Sequence, residues 1–530
     1  MTYPVRNAGQ PADYGRQKAR TLETGGRGTR RLAGLGRTAL LVAAALPLLA
    51  SPAFANSPAQ NEVTREFQKT VTLTGAQGVS LDHRFGRVTI HGQGGHEVKI
   101  AATIRAQDTN SSDAQSFLQK IQVEVKEEGD GVHIRTIYPE SRIPHIRIGG
   151  HSSFSVDYDI AMPAEAPLWM RNAFGNAEVS GVRGWSQLEN SNGALLVRDA
   201  GGAKLVNAFG KIELTNASGN CSITNNNGAV NVSNVKGTLE LRNRFGEIVA
   251  AQIGGAATIS GGNARVSLTQ AGGNSSVSNS FGEVVVRNIS GSLAVTNSNG
   301  RIDVAEVSGN ADLATSFGAV EATRIGGTAT VRDSNGAVHV TEVQGFVSAT
   351  SSFGTVKGSQ LLKGANMVTG NGSIELSNVQ GEVYAKTSFG SIYAENVKGK
   401  FTAQDSNGSV TAKNIEGDAN VTTSFSGVSL EGVGGRITVE NQNGAVDVTA
   451  SGSLCKDVSI RTSFSHIGIR LPANAGYRIK AKTSFGRISS QLPITASGTM
   501  GGDSLEGTIG NGGCTLDLTN SNGNIDIARQ

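Results

Sequence analysis

The feature that most constrains this chain is a turn that recurs with an 18-residue period from Gly210 to Gly444, thirteen consecutive times. A Phe version of the turn alternates with an Asn version. The Phe series comprises Phe174, Phe209, Phe245, Phe281, Phe317, Phe353, Phe389 and Phe425. The Asn series comprises Asn192, Asn227, Asn263, Asn299, Asn335, Asn371, Asn407 and Asn443. Because a fixed period indicates one structural unit stacked on copies of itself, we predict an all-β fold, a β-solenoid or β-helix with a structural ladder of Phe and Asn at its turns.

A typical repeat spans residues 318–335 and contains two short strands and two turns. Small apolar residues alternate with polar ones along both strands, which predicts one inward and one outward face. Ile325 stands in the middle turn, where other repeats carry Val or Ile, and we expect it to fill the interior. The predicted inward positions of the two strands are Val320, Ala322, Ala329 and Val331.

The alternation of Phe and Asn leaves two coil lengths open. A 36-residue coil would stack like on like at about 4.8 Å, a favourable distance for aromatic and amide ladders. An 18-residue coil would place each Phe between two Asn. We favour the 18-residue coil, because Val and Ala side chains can fill the roughly 10 Å between two facing strands but not a wide four-sided coil.

The N-terminal segment, residues 1–55, has the composition of a cleaved export signal. It carries eight Lys or Arg and two acids, and an apolar run from Ala39 to Ala50 precedes Ala53-Phe54-Ala55. That run is shorter than the about 20 residues of a membrane span. Arg30-Arg31 leaves a twin-arginine signal open as an alternative. Without this leader the net charge falls from +4 to −2, so the basic balance belongs to the leader and gives no indication of nucleic-acid binding.

The mature chain is predicted to have three parts. Residues 56–170 form a β-rich N-terminal capping domain with one helix, for which Ser112 and Asp113 offer an N-cap. Residues 171–464 form the regular solenoid. Residues 465–530, where the spacing loosens, form an irregular C-terminal cap that covers the last open strand edge.

Three cysteines do not make a disulfide framework. Cys221 aligns with an inward Ala of a later repeat and is predicted to be a small buried thiol. Cys455 and Cys514 both fall at irregular turns, where an oxidising compartment would allow a disulfide. Their repeat phases place them about two layers apart, so the pairing stays open.

Few residues suggest chemistry. The Phe row would offer stacking surfaces to glycans if exposed, but we expect the rings to close the ends of the core. His91 and His96 flank a loop that would bring two imidazoles near a metal ion, although their spacing matches no known site. Asp157 and Asp159 alternate on a predicted strand and so point the same way, as paired acid and base carboxylates would. Exposed strand residues are the simpler interpretation. Calcium-binding repeats are not indicated, because Asp is not a regular turn residue here. We therefore predict no cofactor and no metal.

The recurring SFG-x-V and SNG-x-V turns, the strand SFSVDYDIAMP and the terminal SNGNIDI resemble the bacterial "putative adhesin" domain-of-unknown-function family. The resemblance extends from about Val63 to Ile527. It implies a β-solenoid of the cell envelope and brings no catalytic motif. This chain departs from the family in the number and regularity of its repeats.

We expect an exported, non-enzymatic β-solenoid with an adhesive or scaffolding role in the periplasm, on the outer-membrane surface or outside the cell. Its expected partners are an envelope polysaccharide, a surface protein or the ends of other copies, with no nucleic acid and no transmembrane helix. One alternative is a polysaccharide-active β-helix enzyme, which would place carboxylates in a cleft. Another is an N-terminal binding module carried on a solenoid spacer.

Overall fold

The computed structural model describes residues 61–108, 110–139, 153–497 and 501–530. The export leader predicted for residues 1–55 therefore lies outside the described residues. Within the described ranges one helix is present, α1 (Ser111–Lys120), and nearly everything else is strand or tight turn. The N-terminal strands are β1 (Asn61–Thr72), β2 (Gly78–Asp82), β3 (Val88–Gln93), β4 (Glu97–Asp108), β5 (Gln122–Glu128), β6 (Gly131–Ile137) and β7 (Ser153–Pro163).

From Leu168 to Leu471 the chain forms about seventeen consecutive coils of two strands each. The first half of this series is β8 (Leu168–Phe174), β9 (Ala177–Ser180), β10 (Ser186–Asn192), β11 (Leu195–Ala200), β12 (Ala203–Phe209), β13 (Ile212–Ala217), β14 (Cys221–Asn227), β15 (Val230–Val235), β16 (Leu239–Phe245), β17 (Ile248–Ile253), β18 (Ala257–Asn263), β19 (Val266–Ala271), β20 (Ser275–Phe281), β21 (Val284–Ile289), β22 (Leu293–Asn299), β23 (Ile302–Val307), β24 (Ala311–Phe317) and β25 (Val320–Ile325). The second half is β26 (Ala329–Arg332), β27 (Val338–Val343), β28 (Val347–Ser351), β29 (Val356–Leu361), β30 (Gly364–Thr369), β31 (Ile374–Val379), β32 (Glu382–Lys386), β33 (Ile392–Val397), β34 (Phe401–Gln404), β35 (Val410–Ile415), β36 (Ala419–Thr422), β37 (Val428–Val433), β38 (Ile437–Glu440), β39 (Val446–Ala450), β40 (Val458–Phe464) and β41 (Ile467–Leu471).

The odd-numbered strands of this series form sheet A and the even-numbered strands form sheet B, and both sheets are parallel. Asn192 pairs with Phe209 in sheet B, and Phe209 pairs in turn with Asn227. Successive coils are therefore related by the 18-residue period, and each Phe lies between two Asn. The preference for an 18-residue coil is confirmed, and the 36-residue alternative is wrong.

The two sheets enclose one apolar core, because their inward faces carry Val, Leu, Ile and Ala at alternate positions. Ile325 and the equivalent residues of other coils are buried, which confirms that this position fills the interior. These residues are Val235, Ile253, Ile289, Val307, Val343, Val397, Ile415 and Val433. At Gly318, φ is +146° and an added Cβ would lie 2.2 Å from the Gly300 carbonyl oxygen. Adjacent coils thus approach too closely at this turn for a side chain.

The N-terminal region continues both sheets beyond β8 and β9. Strand β2 pairs in parallel with β8 on one side and β6 on the other, and β3 lies between β9 and β7 in the same way. The outermost coil is therefore β6–β7, although β2–β3 comes earlier in the chain. The sheets run without interruption across the boundary predicted at residue 170, so this region is not separate from the solenoid.

Antiparallel strands finish the N-terminal end. Strands β4 and β1 extend sheet A, and β5 extends sheet B. Helix α1 contacts β1 and β4 and buries Ala114 and Leu118. Its N-cap is Asn110, whose Oδ1 accepts a hydrogen bond from the Ser112 backbone N–H at 3.1 Å. The predicted caps, Ser112 and Asp113, instead lie in the first turn of the helix.

At the C-terminal end, too, the order of the coils in space differs from their order in the chain. The remaining strands are β42 (Tyr477–Lys482), β43 (Ile488–Ser490), β44 (Ile494–Ala496), β45 (Ser504–Ile509), β46 (Cys514–Asn522) and β47 (Ile525–Arg529). The last two, β46 and β47, lie directly on β40 and β41, while β42 and β43 form the outermost coil. Antiparallel β45 and β44 then cover the free edge of sheet B.

Candidate functional site

The predicted ladder residues meet at one edge of the solenoid, where each sheet B strand turns toward sheet A. We call this the Phe edge, formed by the Phe and Asn series given above together with Phe464, Asn522 and Phe485. Several of the Asn side chains bond to the preceding coil, as Asn335 Nδ2 does to the Ser316 carbonyl at 3.2 Å. The alternation of Phe and Asn stops at the N-terminal end, where two Phe are neighbours. The ring of Phe85 stacks there on that of Phe174, with centroids 5.4 Å apart.

The Phe rings of this edge face solvent. Ten of them, from Phe174 to Phe485, are between 41% and 77% exposed. The expectation that the rings close the ends of the core is therefore wrong. The physical reason is that the alternation of inward and outward side chains ends at the residue two positions before each Phe. The chain then begins the turn that contains the following Gly, and the Phe ring is left pointing outward.

A buried polar column closes the core at the Phe edge. Its members stand two residues before the ladder residues and are Asn, Thr, Ser or Asp, except before Asn263, where the residue is Gly261. Asn190 Nδ2, for example, donates to the Gly175 carbonyl at 3.2 Å, and Thr369 Oγ1 donates to the Gly354 carbonyl at 3.0 Å. These bonds satisfy backbone carbonyls of the preceding coil inside the core. The signal in the sequence is the recurring polar residue at an inward position, which a reading of the turns alone misses.

Two members of this column are acids. Asp333 and Asp405 are both buried, and one carboxylate oxygen of each, Oδ2, has no hydrogen-bond partner among the described residues. The other oxygen accepts from the backbone N–H of Asn335 or Asn407, at 3.3 Å and 3.2 Å. Burial raises the pKa of both carboxyls above the ordinary value. An ionised carboxylate has no hydrogen to donate to the neighbouring coil.

The opposite edge of the solenoid, where each sheet A strand turns toward sheet B, has a second regular row. Thirteen residues that are not Gly adopt a positive φ there, between 52° and 63°. They are Asp199, Asn216, Asn234, Gln252, Gln270, Asn288, Glu306, Arg324, Glu342, Gln360, Asn378, Asn396 and Asn414. We call this the amide edge, because most members are Asn or Gln. Each residue turns its own side chain outward and the next residue into the core, and Gly432 continues the row.

Side-chain amides bond to one another along part of the amide edge. Asn234 Nδ2 donates to Asn216 Oδ1 at 2.8 Å, and Asn414 Nδ2 donates to Asn396 Oδ1 at 3.0 Å. In the middle of the row Arg324 pairs with Glu306 at 2.7 Å. The amide ladder of this protein thus lies at this edge, one residue before the buried Val or Ile. Only the frequent Asn and Gln at that position could have indicated it in the sequence.

A long groove follows the amide edge. One stretch has a volume of about 1270 Å³ and runs from Asn234 to Leu362, and a second of about 460 Å³ runs from Asn378 to Ser451. The residues with positive φ form one wall of the groove. The residues two positions later in the chain, largely Gly and Ser, form the other wall, and buried turn residues lie between the two walls. Such a groove presents hydrogen-bonding amides at the coil spacing, about 4.8 Å.

The predicted acid and base candidates, Asp157 and Asp159, contact different side chains. Asp157 is held by Arg105 in an ion pair and accepts the Arg87 backbone N–H at 2.8 Å. Asp159 is exposed, and His91 Nε2 lies 4.0 Å from its Oδ1. Each carboxylate therefore has its own neighbouring side chain.

Among the residues that the structure describes, neither His91 nor His96 belongs to a group of three or more potential metal ligands. His91 Nδ1 lies 2.9 Å from Ser180 Oγ. Among the described residues, the group with metal-ligand geometry is Glu128, Asp130 and His133. Both ring nitrogens of His133 already have protein partners, Ser80 Oγ at 2.8 Å and Asp130 Oδ1 at 2.9 Å. The His133 hydrogen bond lowers the pKa of the Asp130 carboxyl.

Cys455 and Cys514 form a disulfide, with Cα atoms 5.9 Å apart. The bond joins the loop after β39 to the start of β46. Cys221 is buried within sheet B, and burial raises the pKa of its thiol to about 11.

The fold and the two edges define a two-sheet β-solenoid with regular surface rows. Residues 347–528 match the family model described as Toastrack DUF4097. This match supports the resemblance to a domain-of-unknown-function family of β-solenoid, adhesin-like proteins. No curated protein matches the chain.

One solved structure aligned with the chain is that of a "putative cell adhesion protein" from Clostridium sporogenes ATCC 15579. It is 8% identical, and the alignment covers 88% of this chain and 100% of that chain with a TM-score of 0.15. A score this low supports no conclusion about fold or function. No helix in the described ranges has the length and apolar character needed to cross a membrane.

Proposed function

We propose that this chain is an exported, non-enzymatic β-solenoid that serves as an adhesive or scaffolding protein of the bacterial cell envelope. The observation that carries the proposal is the groove of the amide edge, which presents a wall rich in Asn and Gln over many coils. A long groove with many hydrogen-bonding amides suits a long polar ligand. Its proposed occupant is therefore a linear polar polymer, and an envelope polysaccharide is the candidate that meets this description.

The chemistry of the groove supports polysaccharide over a charged polymer. Asn and Gln side chains both donate and accept hydrogen bonds, as sugar hydroxyls do. The larger stretch contains two basic and two acidic residues, Lys236, Glu306, Arg324 and Glu342, so their formal charges cancel, and Glu306 pairs with Arg324 at 2.7 Å. The wall thus has little net field to attract a strongly charged chain.

Two observations support export and the absence of catalysis. The disulfide between Cys455 and Cys514 is typical of proteins in oxidising compartments. The carboxylates proposed for an enzyme are accounted for otherwise, since Asp157 is paired with Arg105. The proposed location is the periplasm, the outer-membrane surface or the extracellular space.

The test is to express residues 58–530, which form one compact unit, and incubate them with purified peptidoglycan, other envelope polysaccharides and whole cells. Bound protein and released reducing sugars are measured in the same mixtures. Saturable binding without sugar release is expected. Sugar release would establish the polysaccharide-active enzyme instead, and absence of binding to every polysaccharide would refute the proposed ligand class.

A further inference from the structure

The Phe edge exposes an unusual amount of aromatic surface in one line. Its ten exposed rings occur in every second coil, so neighbouring rings stand about 10 Å apart, twice the strand spacing. A buried aromatic side chain covers roughly 150–250 Å², so ten rings about half exposed present on the order of 1,000 Å². The largest apolar patch of an ordinary monomer is about 300–600 Å². Together the rings expose more apolar area than such a patch, in separate sites divided by polar coils.

Between the rings the edge carries smaller side chains, because each intervening coil has Asn in place of Phe. Four of these side chains, those of Asn192, Asn299, Asn335 and Asn407, bond back to the carbonyl that precedes the previous Phe. Asn335 Nδ2 reaches the Ser316 carbonyl at 3.2 Å, and Asn407 Nδ2 reaches the Ser388 carbonyl at 3.1 Å. The neighbouring residues are mostly Ser and Gly. The edge thus alternates a protruding ring with a recess lined by a small polar side chain.

We propose that the Phe edge is the contact surface between two copies of this chain, which lie antiparallel with the rings of each copy in the Asn recesses of the other. A twofold axis between the coils of Phe317 and Asn335 places every Phe from Phe174 to Phe464 opposite an Asn of the partner copy. The same patch then serves both copies, so the contact is closed and cannot propagate into a filament.

The area is sufficient for a stable dimer. A standard interface buries about 800 Å² on each partner, and the exposed rings alone match that figure on each copy. Large aromatic side chains are also the residues that dominate binding energy at interfaces. The residues that flank the rings from Phe317 to Phe425 are Ser, Gly, Ala and Thr, so charge does not oppose the contact there. Nearer the N-terminus charged residues flank the rings, and Arg244 lies over the Phe245 ring at 5.3 Å.

The second copy fits this edge better than a glycan does. Rings that bind sugars need polar groups beside them to fix the hydroxyls. Here the amides of Asn192, Asn299, Asn335 and Asn407 are already engaged with backbone carbonyls, and the amide groove lies on the opposite edge. The proposal is independent of the polysaccharide proposed for that groove.

The test is sedimentation equilibrium of residues 58–530 with and without changes at the Phe edge. The triple variant Phe281→Asn, Phe317→Asn, Phe353→Asn is expected to dissociate at least about tenfold more readily. These changes keep the fold, because Asn occupies the same turn in every neighbouring coil. Leu362→Ser is the matched control, since Leu362 is 52% exposed on the other edge, and it should leave the dimer unchanged.

The converse variant distinguishes interlocking from general stickiness. Asn335→Phe adds apolar surface but fills a recess, so the interlocked dimer should weaken at least about tenfold. Stronger association of this variant would overturn the proposal. A wild-type protein that remains monomeric, or that binds glycans through the rings as a monomer, would overturn it as well.

Discussion

Phe464 pairs in register with Asn522, although Phe485 is the next ladder residue along the chain. The final strands β46 and β47 enter between the coil of Phe464 and that of Phe485, and Phe485 bridges to Asn522 from the other side. The alternation of Phe and Asn therefore continues in space where it fails in the sequence. It also places the last strands between two paired neighbours, with β45 and β44 outside them, so the chain end is not an open edge.

The disulfide should stabilise this C-terminal arrangement specifically. Cys455 and Cys514 are 59 residues apart in the sequence, a loop for which chain entropy gives about 4 kcal/mol. We expect the double variant Cys455→Ser, Cys514→Ser to increase amide hydrogen exchange in β46, β47 and β42. Exchange in the central coils from β20 to β30 is the internal control and should not change. Equal acceleration in both regions would contradict a local role.

Asp333 and Asp405 should destabilise the protein at neutral pH. Each buries a carboxylate oxygen without a partner, at a position where other coils place a hydrogen-bond donor. Replacement of Asp333 by Asn, the residue of most N-terminal members of the column, should raise the free energy of unfolding by about 1–3 kcal/mol at pH 7. Glu375→Gln, at an exposed ion pair with Lys357, is the control and should have little effect.

The stability gained by Asp333→Asn should depend on pH, because the pKa of the buried Asp333 carboxyl is raised. The folded state holds protons on these carboxyls at pH values where the unfolded chain has lost them. Stability from this source is therefore present below the ordinary carboxyl pKa of 3.8 and is lost as the pH rises through the raised value. The advantage of Asp333→Asn over wild type in urea unfolding should accordingly shrink on acidification. An advantage that is constant with pH would contradict this assignment.

His83 should make the folded state less stable as the pH falls, which is opposite to the effect of Asp333 and Asp405. It is buried beside Thr136, whose Oγ1 lies 3.0 Å from Nδ1, and burial lowers the pKa of the imidazole from 6.5 to about 4. The unfolded chain binds the proton first, so about 3 kcal/mol of stability should be lost as the pH falls from about 6.5 to 4. His83→Gln should remove this component from the urea-unfolding profile, whereas replacement of the exposed His339 should not.

The amide edge offers a test of the positive-φ row. Gln252 has φ 57° and follows Asn234, which already bonds to Asn216. Because Asn tolerates this conformation better and matches the ladder, Gln252→Asn should raise the free energy of unfolding by up to about 1 kcal/mol. Gln252→Val should lower it, since a β-branched residue is strained there. The control is Ser267→Asn, on the outer face of the neighbouring sheet A strand β19. It adds an amide to the surface away from the row of positive φ.

The sequence was informative wherever a residue type followed the period directly. The 18-residue coil, the inward Val and Ala positions and the buried Ile325 could be predicted, because apolar alternation is a local property of each strand. The joining of Cys455 to Cys514 could not, since the exchanged order of the terminal coils brings the two together. No local pattern shows that β46 passes inside β42.

The two edges were harder for a different reason. A Phe at a turn can face the core or solvent, and its direction here depends on the buried Asn or Thr two residues earlier. The positive φ of residues such as Gln252 and Arg324 is imposed by the stacked coils, since neither residue type favours it alone. Tertiary packing, and not propensity, therefore placed both the Phe edge and the amide groove.

The most direct test of the account measures polysaccharide binding by a groove variant. Gln252→Gly, Gln270→Gly and Gln360→Gly together remove groove side chains and keep the backbone, as Gly432 does in its own coil. In a sedimentation assay with purified envelope polysaccharide, binding should weaken at least about tenfold, while the Phe-edge triple variant binds like wild type. Unchanged binding by the groove variant would contradict the assignment of the amide edge as the ligand site.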